Sequence, residues 1–326
     1  MYEYDKRVVL TLDAGGTNFV FSAIQGNNEM ISPIGLPAVS DNLDECLEVL
    51  VKGFDRVIAA IPVPPVAISF AFPGPADYEN GIIGDLPNFP SFRGGVALGP
   101  FLKHKYGIPV FIEALSGALP MINRELSLAG CSREYKNLIG ITLGTGFGAG
   151  VVINKVLLTG DNGCGGDIWL MRNKKYPDML AEESVSIRAV RRVYSDLSGQ
   201  SSASLSPKDI YDIAEGIKEG DSHAAIASFN ELGIMAGAAI ASVLNVVDGL
   251  VVIGGGVAGA SKYILPALIT ELRAQLTTFS GNKFPCVSMQ VYNGEDESER
   301  ARFLSLSDSQ VVIPGTHLTT TYHQLK

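Results

Sequence analysis

Three short glycine clusters interrupt this chain, and each directly follows an apolar run rich in β-branched residues. The clusters occupy residues 13–18, 144–148 and 254–259. Runs of this kind that end in glycine predict strands followed by tight turns. Since glycine has no Cβ, the backbone N–H groups of a glycine turn can approach phosphate oxygens closely. One cluster alone is typical of a structural turn, but three in this order predict an α/β protein that binds phosphate groups.

The first two clusters belong to an internal repeat. Residues 11–17 read TLDAGGT and residues 142–148 read TLGTGFG, and each segment is predicted to form a strand, a glycine turn and a returning strand. The repeat predicts two related α/β domains, residues 1–113 and 114–326, that face each other across a cleft. Because the similarity is short, an accidental match is the alternative.

Periodicity predicts the other elements. Leu43, Leu47 and Leu50 share one face of an amphipathic helix over residues 41–54, with Asp41 as its cap. A further helix is expected to begin within residues 204–209, where a proline suits the first turn. The remaining predicted elements are strands at 66–72, 108–112 and 249–253, and helices at 99–106 and 224–247.

Charge and cysteine spacing restrict the partners of the protein. The 34 acidic residues exceed the 25 lysines and arginines and give a net charge of −9, which disfavours nucleic-acid binding. The 4 cysteines form no Cys-x-x-Cys pair, which favours reduced thiols. The longest apolar stretch, residues 234–247, is shorter than the roughly 20 residues that cross a bilayer, and the N-terminus lacks a signal-peptide pattern. We therefore expect a cytoplasmic protein without a membrane partner.

Six motifs together resemble a known family. Residues 12–18, 144–150 and 252–257 resemble the first phosphate, second phosphate and adenosine motifs of the actin-like sugar kinases. The segments FPGPA (72–76), LPNFP (86–90) and GDIW (166–169) narrow the resemblance to the ROK family (repressor, open reading frame, kinase). The resemblance extends from residue 8 to about residue 275. It implies a duplicated actin-like (ribonuclease H-like) ATPase fold with two domains around a cleft.

The resemblance also implies a nucleotide site and an activity. The family contains ATP-dependent kinases of hexoses or N-acetylhexosamines and sugar-responsive repressors. At the end of the first strand, Asp13 can hold Mg²⁺ through water, because Mg²⁺ prefers oxygen ligands. The residues implied to contact ATP are Gly15, Gly16, Thr17, Gly144, Thr145 and Gly146 at the phosphates, and Gly255 and Gly256 at the adenosine.

A second set of positions matches those that contact the sugar in the family. They are Gly74, Asn88, Asp167 and Glu182. Asp167 stands where the family usually has a glutamate. Carboxylates and amides suit this role because each can bind adjacent sugar hydroxyls.

The family's structural zinc is not expected in this chain. Members carry a zinc-binding histidine followed by a cysteine cluster, whereas Trp169 and Leu170 occupy that region here. No cysteine triplet follows before Glu182, and Cys164 has no partner at ligand spacing.

The catalytic aspartate of the family also has no counterpart. Family kinases carry Asn-Asp-x-Asn after the strand that ends here at Ile112, and this chain continues with Glu113 and a segment shorter by about ten residues. The family's C-terminal helix, rich in glycine and alanine, is not found either. Two interpretations stay open: these segments are lost, or the polypeptide is longer than this sequence. Glu113 is the one candidate base, and an ordinary strand-end residue is the alternative.

These observations leave two leading functions. The first is an ATP-dependent sugar kinase, and the second is a non-catalytic sugar- or nucleotide-binding protein that has lost the catalytic aspartate. A role as a DNA-binding repressor is disfavoured by the net charge of −9. It is also disfavoured because the first phosphate motif begins at residue 12, without room for a helix-turn-helix domain before it. The family resemblance implies a homodimer.

Overall fold

The computed structural model describes residues 4–15, 18–72, 76–84, 89–114, 135–305 and 309–322. It divides into two compact units. Unit 1 comprises Met1–Ser116 and Thr159–Gly165, and unit 2 comprises Gly117–Leu158 and Gly166–Lys326. The division into domains at residue 113 stays a prediction.

A mixed sheet organises unit 1, with the strand order β3-β2-β1-β5-β8 and with β4 paired to β2. The first strand pairs antiparallel with the second and parallel with the fifth, and the fifth pairs parallel with the eighth. The predicted hairpin around the first glycine cluster is therefore confirmed. The strands are β1 (Val8–Ala14), β2 (Asn18–Gln25), β3 (Asn28–Glu29), β4 (Ile34–Pro37), β5 (Ala67–Phe72), β6 (Ala76–Asp77), β7 (Ile82–Ile83) and β8 (Val110–Ala114).

Helices α1 (Leu43–Ala60) and α2 (Leu98–Tyr106) cover one face of this sheet. The predicted cap of the first helix was wrong by one residue, because the side chain of Asn42, and not that of Asp41, accepts a hydrogen bond from the Glu45 N–H at 3.3 Å. Asn42 has the extended backbone that a capping residue needs. The helix also continues six residues past the predicted end at Phe54, because Val57 still packs in the core.

Phenylalanine dominates the core of unit 1. The Phe19 and Phe89 rings stack with centroids 6.0 Å apart, and Phe21 meets Phe54 edge-on at 5.2 Å. All four side chains are fully buried. Aromatic pairs at such distances contribute about 0.5–1.5 kcal/mol beyond the area that they bury. Along each strand, the side chains that alternate with the buried ones point to the opposite face of the sheet.

Unit 2 repeats the same strand arrangement. Its main sheet has the order β11-β10-β9-β12, with an antiparallel hairpin followed by a parallel strand on the other side. The internal repeat in the sequence thus corresponds to a repeat in topology. The strands are β9 (Leu138–Leu143), β10 (Phe147–Ile153), β11 (Val156–Leu157), β12 (Leu250–Gly254), β13 (Gln275–Thr277), β14 (Lys283–Pro285), β15 (Ser309–Val312) and β16 (Thr319–Tyr322).

Three helices of unit 2 pack against one long central helix. Glycine permits the close approach of this helix to its neighbour, since a Cβ at Gly233 would lie 2.4 Å from the Ile264 carbonyl oxygen. The α-helices are α3 (Ile187–Ser198), α4 (Pro207–Ala214), α5 (Ser222–Val247), α6 (Ser261–Leu272) and α7 (Glu297–Ser305), and short 3₁₀ helices span Ile168–Leu170, Ala181–Glu183 and Ala258–Ala260.

The central helix is longer than the apolar stretch judged from the sequence. Within the described part of the chain, α5 is the one helix with the length and composition to span a membrane, with a mean hydropathy of 1.5 over an 18-residue window. Of that window 56% is buried inside the protein, and its apolar side chains belong to the core of unit 2. The core helix of a soluble protein passes the same test of length and composition.

Candidate functional site

In unit 2 the second and third glycine clusters meet at one edge of the sheet. The Val257 N–H donates to the Leu143 carbonyl oxygen at 2.9 Å, which ties the turn after β12 to the end of β9. Gly255 has a φ of +97°, and a Cβ there would lie 2.4 Å from the same carbonyl oxygen. Only glycine therefore fits this position without a backbone shift. The structure thus places Gly255 against Leu143, the residue before the turn at 144–146. The nucleotide contacts of Gly144, Thr145, Gly146, Gly255 and Gly256 stay predictions.

Glu182 lies against the turn at residues 144–146. Its Oε2 accepts a hydrogen bond from the Phe147 N–H at 3.0 Å, and its side chain is only 14% exposed. A Cβ on Gly146 would lie 2.6 Å from this Oε2. Gly146 thus makes room for a carboxylate, a requirement that the sequence motif did not reveal.

Arg188 holds the other side of the same carboxylate. Its Nη2 donates to Glu182 Oε1 at 3.0 Å and to Glu183 Oε1 at 3.3 Å, and its Nη1 lies 3.5 Å from the Thr145 carbonyl oxygen. Burial lowers the pKa of Arg188, but the hydrogen bonds and charges of the two glutamates outweigh it and raise this pKa above its usual value. The guanidinium is therefore a fixed positive charge beside the turn.

Asp167 lies on a neighbouring short element. It precedes the 3₁₀ helix Ile168–Leu170, and a Cβ at Gly166, with φ of +93°, would lie 2.7 Å from the Ala149 carbonyl oxygen on β10. The Ala181 N–H donates to the Met171 carbonyl oxygen at 2.7 Å, which joins this helix to the one that carries Glu182. The two predicted sugar-contacting carboxylates of unit 2 are therefore held on adjoining turns.

A buried asparagine closes the loop between these turns. Asn173 is 1% exposed, and its amide donates to the Leu180 carbonyl oxygen at 3.1 Å and to Ser184 Oγ at 2.8 Å. Its Oδ1 accepts from the N–H groups of Lys175 and Tyr176, each at 3.0 Å. All donors and acceptors of this amide group are engaged in anchoring the chain beside Glu182.

In unit 1 two predicted carboxylates share one row of the sheet. Asp13 pairs with Ala71 of β5, and Ala71 pairs with Glu113 of β8. Paired residues of neighbouring parallel strands point to the same face, so Asp13 and Glu113 lie two strand spacings apart, or about 10 Å. Both side chains are exposed, on the face opposite the phenylalanine core.

The remaining predicted positions of unit 1 are only partly described. At Gly15 a Cβ would lie 2.9 Å from the Asn18 carbonyl oxygen, so glycine is needed to close the turn. Gly16, Thr17, Gly74 and Asn88 lie outside the described residues.

Comparison with known proteins identifies the family. The family model "ROK family" matches residues 9–298. The chain belongs to the ROK family.

Several glucokinases are similar to this chain. A crystal structure of glucokinase from Parabacteroides distasonis is 56% identical, with a TM-score of 0.79 over 99% of this chain and 91% of that one. A glucokinase of Thermotoga maritima is 25% identical over 81% of this chain and 86% of that protein. A ROK glucokinase from Streptomyces griseus, solved with glucose and AMPPNP, has a TM-score of 0.63 at 19% identity over 82% of this chain and 88% of that one. The predicted actin-like α/β fold is confirmed by these likenesses.

Metal ligands are sparse in this ROK protein. Within the residues described, no three His, Cys, Asp or Glu side chains form a metal-binding group. The exposed carboxylate of Asp13 nevertheless suits Mg²⁺, because this ion is commonly held by one or two carboxylates together with water and substrate phosphates.

Sequence reasoning missed Arg188 and Asn173. A basic residue in the first turn of a helix, two positions after the cap Ser186, is a departure from normal helix chemistry and could have indicated a special role for Arg188. No pattern in the sequence indicates that Asn173 is the centre of a loop.

Proposed function

We propose that this ROK protein is an ATP-dependent sugar kinase that phosphorylates a hydroxyl of a glucose-like hexose or an N-acetylhexosamine in the cytoplasm. The main support is that two glycine clusters and the hydrogen-bonded carboxylate of Glu182 lie together at one edge of the sheet. The chain is also 56% identical to a glucokinase. The glycine turns supply backbone donors for phosphates, and the carboxylate supplies acceptors for sugar hydroxyls.

The nucleotide is assigned to the glycine turns of both units. In unit 2, Gly144, Thr145 and Gly146 contact the phosphates, while Gly255 and Gly256 lie against the adenosine. In unit 1, Gly15, Gly16 and Thr17 take the phosphate-binding role. Phosphoryl transfer depends mainly on positioning and on stabilisation of charge, so this backbone cradle supplies much of what the reaction needs.

The sugar is assigned to Asp167 and Glu182 in unit 2, together with Gly74 and Asn88. The two carboxylates lie on adjoining 3₁₀ turns, an arrangement that suits recognition of neighbouring hydroxyls on one ring. Because Glu182 is held on both oxygens, it is pre-oriented for a rigid ligand. Pre-orientation lowers the entropy lost on binding.

Glu113 is proposed as the general base. Its carboxylate takes the proton of the attacking sugar hydroxyl, whose oxygen then bonds to the terminal phosphorus of ATP while the bond to the ADP oxygen breaks. The exposed position of Glu113 in the same sheet row as Asp13 supports this assignment. When bound, Mg²⁺ would offset negative charge on the phosphates, and Asp13 would hold it through water.

The alternative is a non-catalytic protein that binds the same ligands. The absence of the family's Asn-Asp-x-Asn after Ile112 favours it. We further propose that the protein forms a homodimer, has neither nucleic-acid nor membrane partners, and carries no structural zinc.

An assay of ADP release and of phosphorylated product separates the two functions. The purified protein is mixed with Mg-ATP and, in turn, glucose, mannose, fructose and the N-acetylated hexosamines, and the sugar product is identified by mass spectrometry. We expect turnover with at least one of these sugars. If AMPPNP and a sugar each raise the melting temperature but no sugar is phosphorylated, the binding-protein alternative is correct. If neither ligand changes the melting temperature, both assignments fail.

A further inference from the structure

Arg188 is in an unfavourable place for a positive charge. It is the second residue of α3, after the cap Ser186, whose side chain accepts from the Ala189 N–H at 3.4 Å. The N-terminus of a helix carries a partial positive charge, so a cation in the first turn is destabilising. Departures of this kind from local preference are concentrated at functional sites.

The contacts of Arg188 indicate what offsets this penalty. Its two glutamate partners differ in exposure, with 14% for the Glu182 side chain and 48% for that of Glu183. Exposed ion pairs contribute little, whereas a hydrogen bond to a shielded carboxylate contributes more. Glu182 is therefore the partner that matters.

The Glu182 carboxylate is held at both oxygens, and Arg188 provides one of the two contacts. The Phe147 N–H fixes Oε2 at 3.0 Å and Arg188 Nη2 fixes Oε1 at 3.0 Å. Without the guanidinium, one oxygen would be free to rotate away. The uncompensated negative charge would also remain beside the turn at residues 144–146.

We propose that Arg188 is a positioning residue that fixes the Glu182 carboxylate for the sugar and neutralises its charge next to the phosphate-binding turn. This inference rests on the proposed function, because it takes Glu182 as a sugar contact and residues 144–146 as a phosphate contact. It predicts that the Arg188 side chain affects the affinity for the sugar and the affinity for the nucleotide. Arg188 acts through Glu182 and takes no part in the proton transfer.

Four variants test the role: Arg188→Gln, Arg188→Lys, Glu182→Gln and the double variant with both glutamines. Arg188→Gln should raise the KM of the sugar about ten- to a hundredfold, as expected for loss of a hydrogen bond to a charged group. The AMPPNP dissociation constant should also rise, while kcat changes less than KM. Arg188→Lys should recover part of both affinities, because it retains the charge but loses the planar fork.

The double variant is the decisive measurement. If Arg188 acts through Glu182, adding Arg188→Gln to Glu182→Gln should change the sugar KM by less than about twofold, since coupled residues are not additive. Arg273→Gln is the matched control: it removes a guanidinium that donates to a different carboxylate, that of Glu299, after the end of α6. This control should leave both substrate affinities unchanged.

Full additivity, or an unchanged sugar KM and AMPPNP affinity in Arg188→Gln, would overturn the proposal. Near-ultraviolet circular dichroism checks the fold of each variant, and Arg188→Lys decides the matter if the glutamine variant does not fold. A wild-type protein that phosphorylates no sugar contradicts the proposed function instead. In that case the AMPPNP dissociation constants of the same variants still decide whether Arg188 neutralises Glu182.

Discussion

The two units share one strand arrangement, an antiparallel hairpin beside a parallel strand, but they differ in the side chains near its glycine turn. In unit 1 the strands beside the glycine turn end in exposed carboxylates, Asp13 and Glu113. In unit 2 the strand equivalent to β1 is followed by Gly144 and the parallel strand β12 ends at Gly254. The acid there comes from a separate turn, where Glu182 is shielded and held by two donors. A free carboxylate suits proton transfer and metal binding, whereas a held one suits recognition. One backbone frame thus carries carboxylates in two different settings.

The largest expected effect tests this division directly. Glu113→Gln should lower kcat by about 10²–10⁴, because it removes the proposed base, and should leave the sugar and AMPPNP affinities nearly unchanged. Glu182→Gln should act mainly on the sugar KM. Steady-state kinetics of both variants provides the measurement.

A matched control for charge removal exists in the same unit. Glu48→Gln changes an exposed carboxylate on α1 and should have no effect on kcat. If Glu113→Gln is fully active, the assignment of Glu113 as the general base is wrong.

A second prediction concerns the glycines of unit 2, which differ in what surrounds them. Gly255→Ala places a Cβ 2.4 Å from a backbone oxygen at a φ of +97°, whereas a Cβ at Gly256 meets nothing within 4 Å. We expect Gly255→Ala to lower the free energy of unfolding by about 1–3 kcal/mol, as strained backbone does, and Gly256→Ala to change it little. Urea unfolding of the two variants measures the difference.

Equal stabilities of the Gly255→Ala and Gly256→Ala proteins would mean that the turn after β12 is not fixed against Leu143. The second and third glycine clusters would then not meet at one edge of the sheet in unit 2, because their meeting depends on that contact.

A third prediction addresses what holds Glu182 in place besides Arg188. Asn173→Ala removes a buried amide and leaves the Ser184 Oγ, which is 1% exposed, without its donor. Unsatisfied buried groups are destabilising by about 1–3 kcal/mol each, so the melting temperature should fall and the sugar KM should rise.

The chelator EDTA should leave the wild-type melting temperature unchanged, because we expect no structural zinc in this loop.

The frame could be predicted from the sequence, but the partners of the site residues could not. Strand and glycine patterns are local, so both hairpins followed from them, whereas the contact between the second and third clusters did not. The contact of Glu182 with Phe147 joins residues 35 positions apart, and no local pattern encodes it. The first helix shows a smaller limit: Asp41 and Asn42 are both good caps, and only the backbone decides between them.

The smallest effect distinguishes the two units by their helix caps. The cap of α1 in unit 1 is an amide, Asn42, which does not titrate. In unit 2 the start of α4 has a capping box in which Asp209 accepts from the Ser206 N–H at 2.8 Å and from Lys218 Nζ at 2.7 Å. The hydrogen bonds from Lys218 and then from Ser206 hold the pKa of Asp209 well below its ordinary value.

The sign of the resulting pH dependence follows from this lowered pKa. A carboxyl group whose pKa is lower in the folded state than in the unfolded one contributes stability above its ordinary pKa of about 4, and this stability is lost as the pH falls below that value. Asp209→Asn should therefore lower the melting temperature slightly at pH 7, and the difference from wild type should shrink as the pH falls below about 4. Asn42→Ala in unit 1 should show a weaker pH dependence, because the hydrogen bond from the Glu45 N–H to Asn42 Oδ1 involves no charge and the one from Asn42 Nδ2 to the Glu45 carboxylate is exposed. Melting curves of the two variants across this range check the contrast, and a pH-independent effect of Asp209→Asn would show that the charge of the capping box contributes nothing.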